Sequence, residues 1–115
     1  MYIKKEVYRE KDDSVAYIEC IYDSSNILKT TYFPLQNKLF IYFKHGGTYS
    51  YLNINNSLYE EFENCESHGK FFAEKIKNNP KYPYLKEFKL YESEIEECKK
   101  IIKESKDNKN ESTNK

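Results

Sequence analysis

The residues best suited to chemistry lie in two short stretches. Ser67-His68-Gly69-Lys70 stands where a helix should begin. The free N–H groups and the dipole of a helix start favour an anion, and Lys70 would sit one turn in, so phosphate is the ligand class this run suits. A serine that only caps the helix, and a glycine that only permits close packing, account for the same residues without a ligand. Tyr49 and Tyr51 alternate onto one face of an expected strand. With Lys44 or Lys77 nearby they could stack a base or nucleotide ring as single-strand binders do, although half-buried packing is the ordinary use of strand tyrosines. The candidate ligand-binding set is therefore Tyr49, Tyr51, Ser67, His68, Gly69, Lys70 and Lys77.

Catalytic patterns are scarce. His45 lies beside a turn and His68 at a helix start, with no carboxylate or second histidine at a metal-ligand spacing, and no cysteine adjoins a histidine. Nothing meets the requirement for a nucleophile, a base and a group that orients the base. The expectation is a protein that is not an enzyme, with no catalytic residue, metal or cofactor. The 3 cysteines, Cys20, Cys65 and Cys98, are odd in number and contain no Cys-x-x-Cys pair, which argues against a disulfide framework and a zinc site and fits a reducing cytoplasm.

Lys+Arg and Asp+Glu balance at 19 each, so any nucleic-acid or membrane binding would need a local patch. The six lysines of residues 67–89 are such a patch, set beside an acidic helix carrying Glu60, Glu61, Glu63 and Glu66. No stretch approaches membrane-spanning length and the N-terminus has no signal-like apolar run, so a cytoplasmic protein without membrane association is expected. Lys, Asn, Ile and Tyr are abundant and have AT-rich codons, which fits a low-GC bacterium or one of its phages. Tyrosine, with 12 copies, also suits half-buried strands, where the ring packs and the hydroxyl stays wet.

Positioning these residues requires a sheet and helices. Strands are expected over residues 2–9, 14–22, 27–33, 39–43 and 48–54. In the second, Ala16, Ile18, Cys20 and Tyr22 form an apolar face against a mixed face of Val15, Tyr17, Glu19 and Ile21. Pro34 stops the third, and Gly46 and Gly47 would supply the positive φ of a two-residue hairpin turn. Ser57-Leu-Tyr-Glu60 reads as a capping box for a helix that buries Leu58, Phe62 and Cys65, and Ser67 as the cap of a second that buries Phe71, Phe72 and Ile76. Residues 81–90 have no assignable pattern. A C-terminal amphipathic helix would put Tyr91, Ile95, Cys98 and Ile102 on one face with a Ser93-x-x-Glu96 cap, and residues 106–115 read as a disordered polar tail. The fold class is α+β: an antiparallel β-meander of four to five strands, two short helices and a C-terminal helix.

Ser24-Ser25-Asn26-Ile27, Tyr32, Leu39, Phe43, Gly46-Gly47 before Tyr49-x-Tyr51, Ile54, Tyr59, Ser67-x-Gly69-x-Phe71-Phe72, Ile76-Lys77 and Tyr82 together resemble the KTSC domain, a short module named after the C-terminal extension of some lysyl-tRNA synthetase-like proteins. The likeness spans residues 24–82 and departs at Cys65 and Glu66, where the family more often has small residues. It makes residues 1–23 a strand extension of the sheet and 83–105 an added connector and helix. What it implies is a small accessory binding module rather than a settled activity. The leading expectation is a non-catalytic module engaging RNA, a nucleotide or a protein partner. The alternatives are a phage or prophage protein that sequesters a nucleotide immune signal, and a protein-interaction or assembly subunit in which a helix over Tyr91 to Ile102 serves self-association.

Overall fold

The fold is described from a computed structural model that covers residues 2–113, with side-chain surroundings through Asp107. Six antiparallel strands follow one another in sheet order as in sequence: β1 (Tyr2–Arg9), β2 (Val15–Tyr22), β3 (Ile27–Phe33), β4 (Lys38–Phe43), β5 (Thr48–Tyr51) and β6 (Tyr84–Lys86). Aromatic and β-branched residues make the first five strands, with both faces of β3 and β4 buried. Pro34 opens a 3-10 turn after β3, and Asn53, at φ 64°, ends β5 short of Ile54. The sixth strand comes from the connector that had no sequence pattern; its register places Tyr49 opposite Lys86 and Tyr51 opposite Tyr84.

The turn between β4 and β5 has four residues rather than two, and only Gly46 has positive φ, at 95°. Gly47 serves another purpose. A Cβ there would stand 2.5 Å from His45 Cε1, so glycine is what lets the imidazole fold back over the turn.

Helices cover both faces of the sheet. On one, α1 (Asn56–Asn64) and α2 (His68–Phe71, continued by a π-helical turn Phe72–Ile76) bury Cys20, Tyr22, Tyr32, Leu39, Phe43, Tyr51, Tyr59 and Phe62. Asn55, not Ser57, caps α1: its side chain accepts from Leu58 N at 2.9 Å. The two residue types cap equally well, and starting at Asn55 puts Ile54 just before the cap and Tyr59 four residues into the helix, both in the same core cluster, where an apolar pair fixes the helix entry. The buried stripe of α1 is accordingly Tyr59, Phe62 and Glu63, with Leu58 and Cys65 only half-buried.

On the other face α3 (Glu92–Thr113) packs Ile95, Cys98 and Ile102 against Leu28 and Tyr42. Tyr91 is excluded from this stripe and stands 76% exposed, because the helix begins after it. The chain's own sheet thus takes up Ile95, Cys98 and Ile102. The helix also runs past residue 105 through Thr113, correcting the expected tail over that span; Lys and Glu sustain a helix by propensity, and Lys106 Nζ reaches Asp23 at 3.2 Å. Residues 114–115 of that tail lie outside the described residues. Among the described residues no helix is long and apolar enough to cross a membrane.

Candidate functional site

Where β4, β5 and β6 meet the end of α2, the helices stop short of covering the sheet. A cleft of about 350 Å³ opens there, lined by Asn26, Phe43, His45, Tyr49, Tyr51, Phe72, Lys77, Asn78 and Tyr84. Period-two alternation sends Phe43, Tyr49 and Tyr51 to this face, and pairing with β6 adds Tyr84 as an outer wall. The rings meet edge to face. Phe72 lies 5.5 Å from Phe43 and 5.3 Å from Tyr51, while Tyr84 lies 5.7 Å from Tyr49. Such T-shaped pairs are a favoured aromatic geometry.

Polar groups stand around this aromatic floor. The imidazole of His45 stacks on Phe43 with the planes 3° apart, and Gly47 N–H donates to its Nδ1 at 3.1 Å. That bond leaves the proton of the neutral ring on Nε2, so an exposed histidine is held in one tautomer as a donor. Burial, with the neighbouring Tyr49 and Tyr84, pushes Tyr51 up to about 12, so its phenol stays neutral at any physiological pH. Among the described residues no hydrogen bond occupies the hydroxyls of Tyr49, Tyr51 or Tyr84. Lys77 and Asn78 follow the π-helical turn, which is closed by Lys77 N–H donating to Phe72 O at 2.8 Å; single π turns recur at functional sites.

Of the seven candidates read from sequence, the cleft brings together Tyr49, Tyr51 and Lys77 and leaves Ser67, His68, Gly69 and Lys70 outside its lining. Ser67 Oγ accepts from Lys70 N at 3.3 Å as a helix cap. His68 is buried, 4.1 Å from the Tyr22 ring, and its Nε2 lies 3.3 Å from Glu63 O; burial lowers its pKa. Gly69 is a close-packing position, since a Cβ would come 2.6 Å from Asn26 Oδ1. Lys70 is exposed on α2. Sequence reasoning missed His45, Phe43, Phe72 and Tyr84 as cleft residues. Gly47 directly after the His45-Gly46 pair was the one local signal for His45, and nothing local marked Tyr84.

A smaller depression, about 200 Å³, lies on the opposite face under α3 among Lys4, Glu6, Glu19, Lys29, Glu94 and Cys98. Its two lysines are already paired, Lys4 Nζ 2.9 Å from Glu6 and Lys29 Nζ 4.0 Å from Glu19, and Glu94 and Glu97 add further acid, so it suits an anionic ligand less than the aromatic cleft does. Among the described residues no group of three or more His, Cys, Asp or Glu could hold a metal ion.

Comparison with known proteins adds two findings. The family model of the KTSC domain matches residues 23–82. Among solved structures, the crystal structure of a KTSC domain protein from Yersinia pestis is similar at 27% identity and a TM-score of 0.54, over 74% of this chain and 100% of that one. No curated protein matches. The matched segment supplies every cleft residue except Tyr84, which comes from the connector beyond it.

Proposed function

The chain belongs to the KTSC domain family, and from that premise we propose that it is a non-catalytic binding module whose cleft takes a nucleotide unit, free or within RNA. The observation that carries this reading is the cleft itself: stacked and edge-on aromatic side chains beneath an opening ringed by a lysine, a fixed imidazole donor and two amides. Its volume of about 350 Å³ falls in the range of small-molecule sites, roughly 300–1,000 Å³. A nucleobase needs a flat apolar surface for its π-face and donors or acceptors for its edge, and base–aromatic stacking contributes about 1–3 kcal/mol. Lys77 would meet a phosphate as a point charge.

Calorimetric titration with nucleoside monophosphates and short single-stranded RNA tests the proposal, with the ligand recovered after heat denaturation. Binding that falls on Tyr84→Ala and Lys77→Ala, with unaltered ligand recovered, is expected. Absence of binding in both series, or binding indifferent to both substitutions, would overturn it. Recovery of altered nucleotide would remove the non-catalytic part.

A further inference from the structure

The aromatic cleft has a neighbour. Around the β4–β5 turn a second cleft of about 220 Å³ is lined by Lys44, His45, Lys89, Lys99, Glu92 and Glu96, with Leu90 and Ile95 at its base. His45 belongs to both clefts, so the two openings adjoin across one imidazole. Resting on the reading of the first cleft as a nucleotide site, we infer that the ligand is phosphodiester-linked: one nucleotide unit sits on the aromatic floor, and its neighbour's phosphates pass His45 into the lysine-lined cleft.

Three features carry this inference. Three ammonium groups face two carboxylates there, and among the described residues Lys44, Lys89 and Lys99 form no ion pair, so their charge is unspent. Lys89 is placed rather than loose. Leu90 N–H donates to Gly46 O at 3.1 Å, and the Lys89 stem crosses the turn so closely that a Cβ on Gly46 would lie 2.8 Å from its Cε. Finally, His45 presents a donor fixed by Gly47 at the junction, where a phosphate would pass. Lys89 and Lys99 both lie beyond residue 82, so the connector and α3 would lengthen the site that the matched segment begins.

The test compares one nucleotide with several. Wild-type protein and a Lys89→Ala/Lys99→Ala variant, each checked for native circular dichroism, are titrated with a nucleoside monophosphate, a linear tetranucleotide and a cyclic dinucleotide at a series of salt concentrations. Each phosphate contact removed from a single strand should lower the slope of log K against log salt by roughly 0.7, so the variant's tetranucleotide slope should fall by about 1.4, with affinity down on the order of tenfold at low salt. Its monophosphate affinity should change less than about twofold, since neither lysine lines the first cleft. An affected cyclic dinucleotide with an unaffected tetranucleotide would assign the site to cyclic ligands, and the reverse to linear strands; either supports a phosphodiester. Equal losses for mono- and oligonucleotides, or no change in either, would overturn the inference while leaving the nucleotide cleft standing. If the wild type bound none of the three, the nucleotide cleft itself would fall.

Discussion

Two tyrosine-rich regions share one face of the same sheet, and they end in opposite states. At the β1–β2 end, under α1, the hydroxyl of Tyr22 pairs with Thr30 Oγ1 at 2.8 Å, Tyr32 donates to Ile54 O at 2.8 Å and Tyr59 donates to Glu63 Oε1 at 3.1 Å. Glu63 in turn takes Lys5 Nζ at 3.0 Å, and the Cys20 thiol sits among them, its pKa raised by burial. At the β5–β6 end Tyr49, Tyr51 and Tyr84 present the same ring chemistry with no protein partner on their hydroxyls among the described residues. Tyrosine content alone therefore says little about function. What separates a structural tyrosine from a candidate binding tyrosine is whether the fold has brought a polar partner to its hydroxyl, from a neighbouring strand, a loop carbonyl or a helix.

The largest effect expected on this contrast comes from opening the sealed end. Burial works against the Lys5 charge, yet the Glu63 hydrogen bond and charge prevail and raise its pKa. Glu63→Ala would remove the carboxylate that accepts from the buried Tyr59 hydroxyl and pairs with the exposed Lys5, and should cost about 2 kcal/mol in urea denaturation, the scale for losing one partner of a buried hydrogen bond. Adding Lys5→Met should change stability by less than about 1 kcal/mol further, because Lys5 is exposed on β1 and its ammonium can turn to solvent once Glu63 is gone. A double variant much more stable than Glu63→Ala would mean that the Lys5 ammonium is desolvated beside α1 after all.

His68 gives a second, pH-dependent effect at the same end. Burial holds its pKa below the ordinary 6.5, so the folded state favours the neutral ring. Its contribution to stability is thus fully present above pH 6.5 and is lost as pH falls through the folded-state pKa. Replacing it by an uncharged side chain, His68→Gln, should lower stability at neutral pH but flatten the fall below pH 6.5, measured by thermal melts across that window. An unchanged acid limb would show that other groups govern it.

Sequence alone made the sealed end's elements legible but not its chemistry. β3, Ile27–Phe33, is visible because a run of strand-forming residues meets Pro34, and the α2 cap because Ser67 is followed by apolar residues at helical spacing. Glu63 is one of four acids over residues 60–66 with nothing local to mark it as buried, since Cys20 and Lys5, which it meets across the fold, lie 43 and 58 residues away. β6 had no alternation to detect: its three residues are all exposed, and only the free edge of β5 makes them a strand. The cleft was half legible for the same reason. Tyr49 and Tyr51 follow from strand period, whereas Tyr84 enters through tertiary pairing and His45 through the missing Cβ of Gly47.

At the open end, stability and binding should come apart. Tyr84 is 58% exposed, so Tyr84→Ala should cost under about 1 kcal/mol in denaturation while removing about 1–3 kcal/mol of nucleotide binding. A large stability loss with unchanged binding would reverse the contrast and make Tyr84 a packing residue like Tyr59.

The smallest expected change in stability tests the contrast most finely. Gly47 has no positive φ, so Gly47→Ala strains no backbone angle; the added Cβ meets only the His45 ring, 2.5 Å away, at the end of a side chain that can rotate into solvent. The fold should lose about 0.5 kcal/mol or less, the range of surface substitutions that touch no core. The imidazole, however, would leave Phe43 and surrender the Gly47 N–H bond that sets its tautomer. NMR of the ring should then show exchange between tautomers in place of one fixed form. Oligonucleotide affinity should fall further than monophosphate affinity, because His45 stands at the junction of the two clefts.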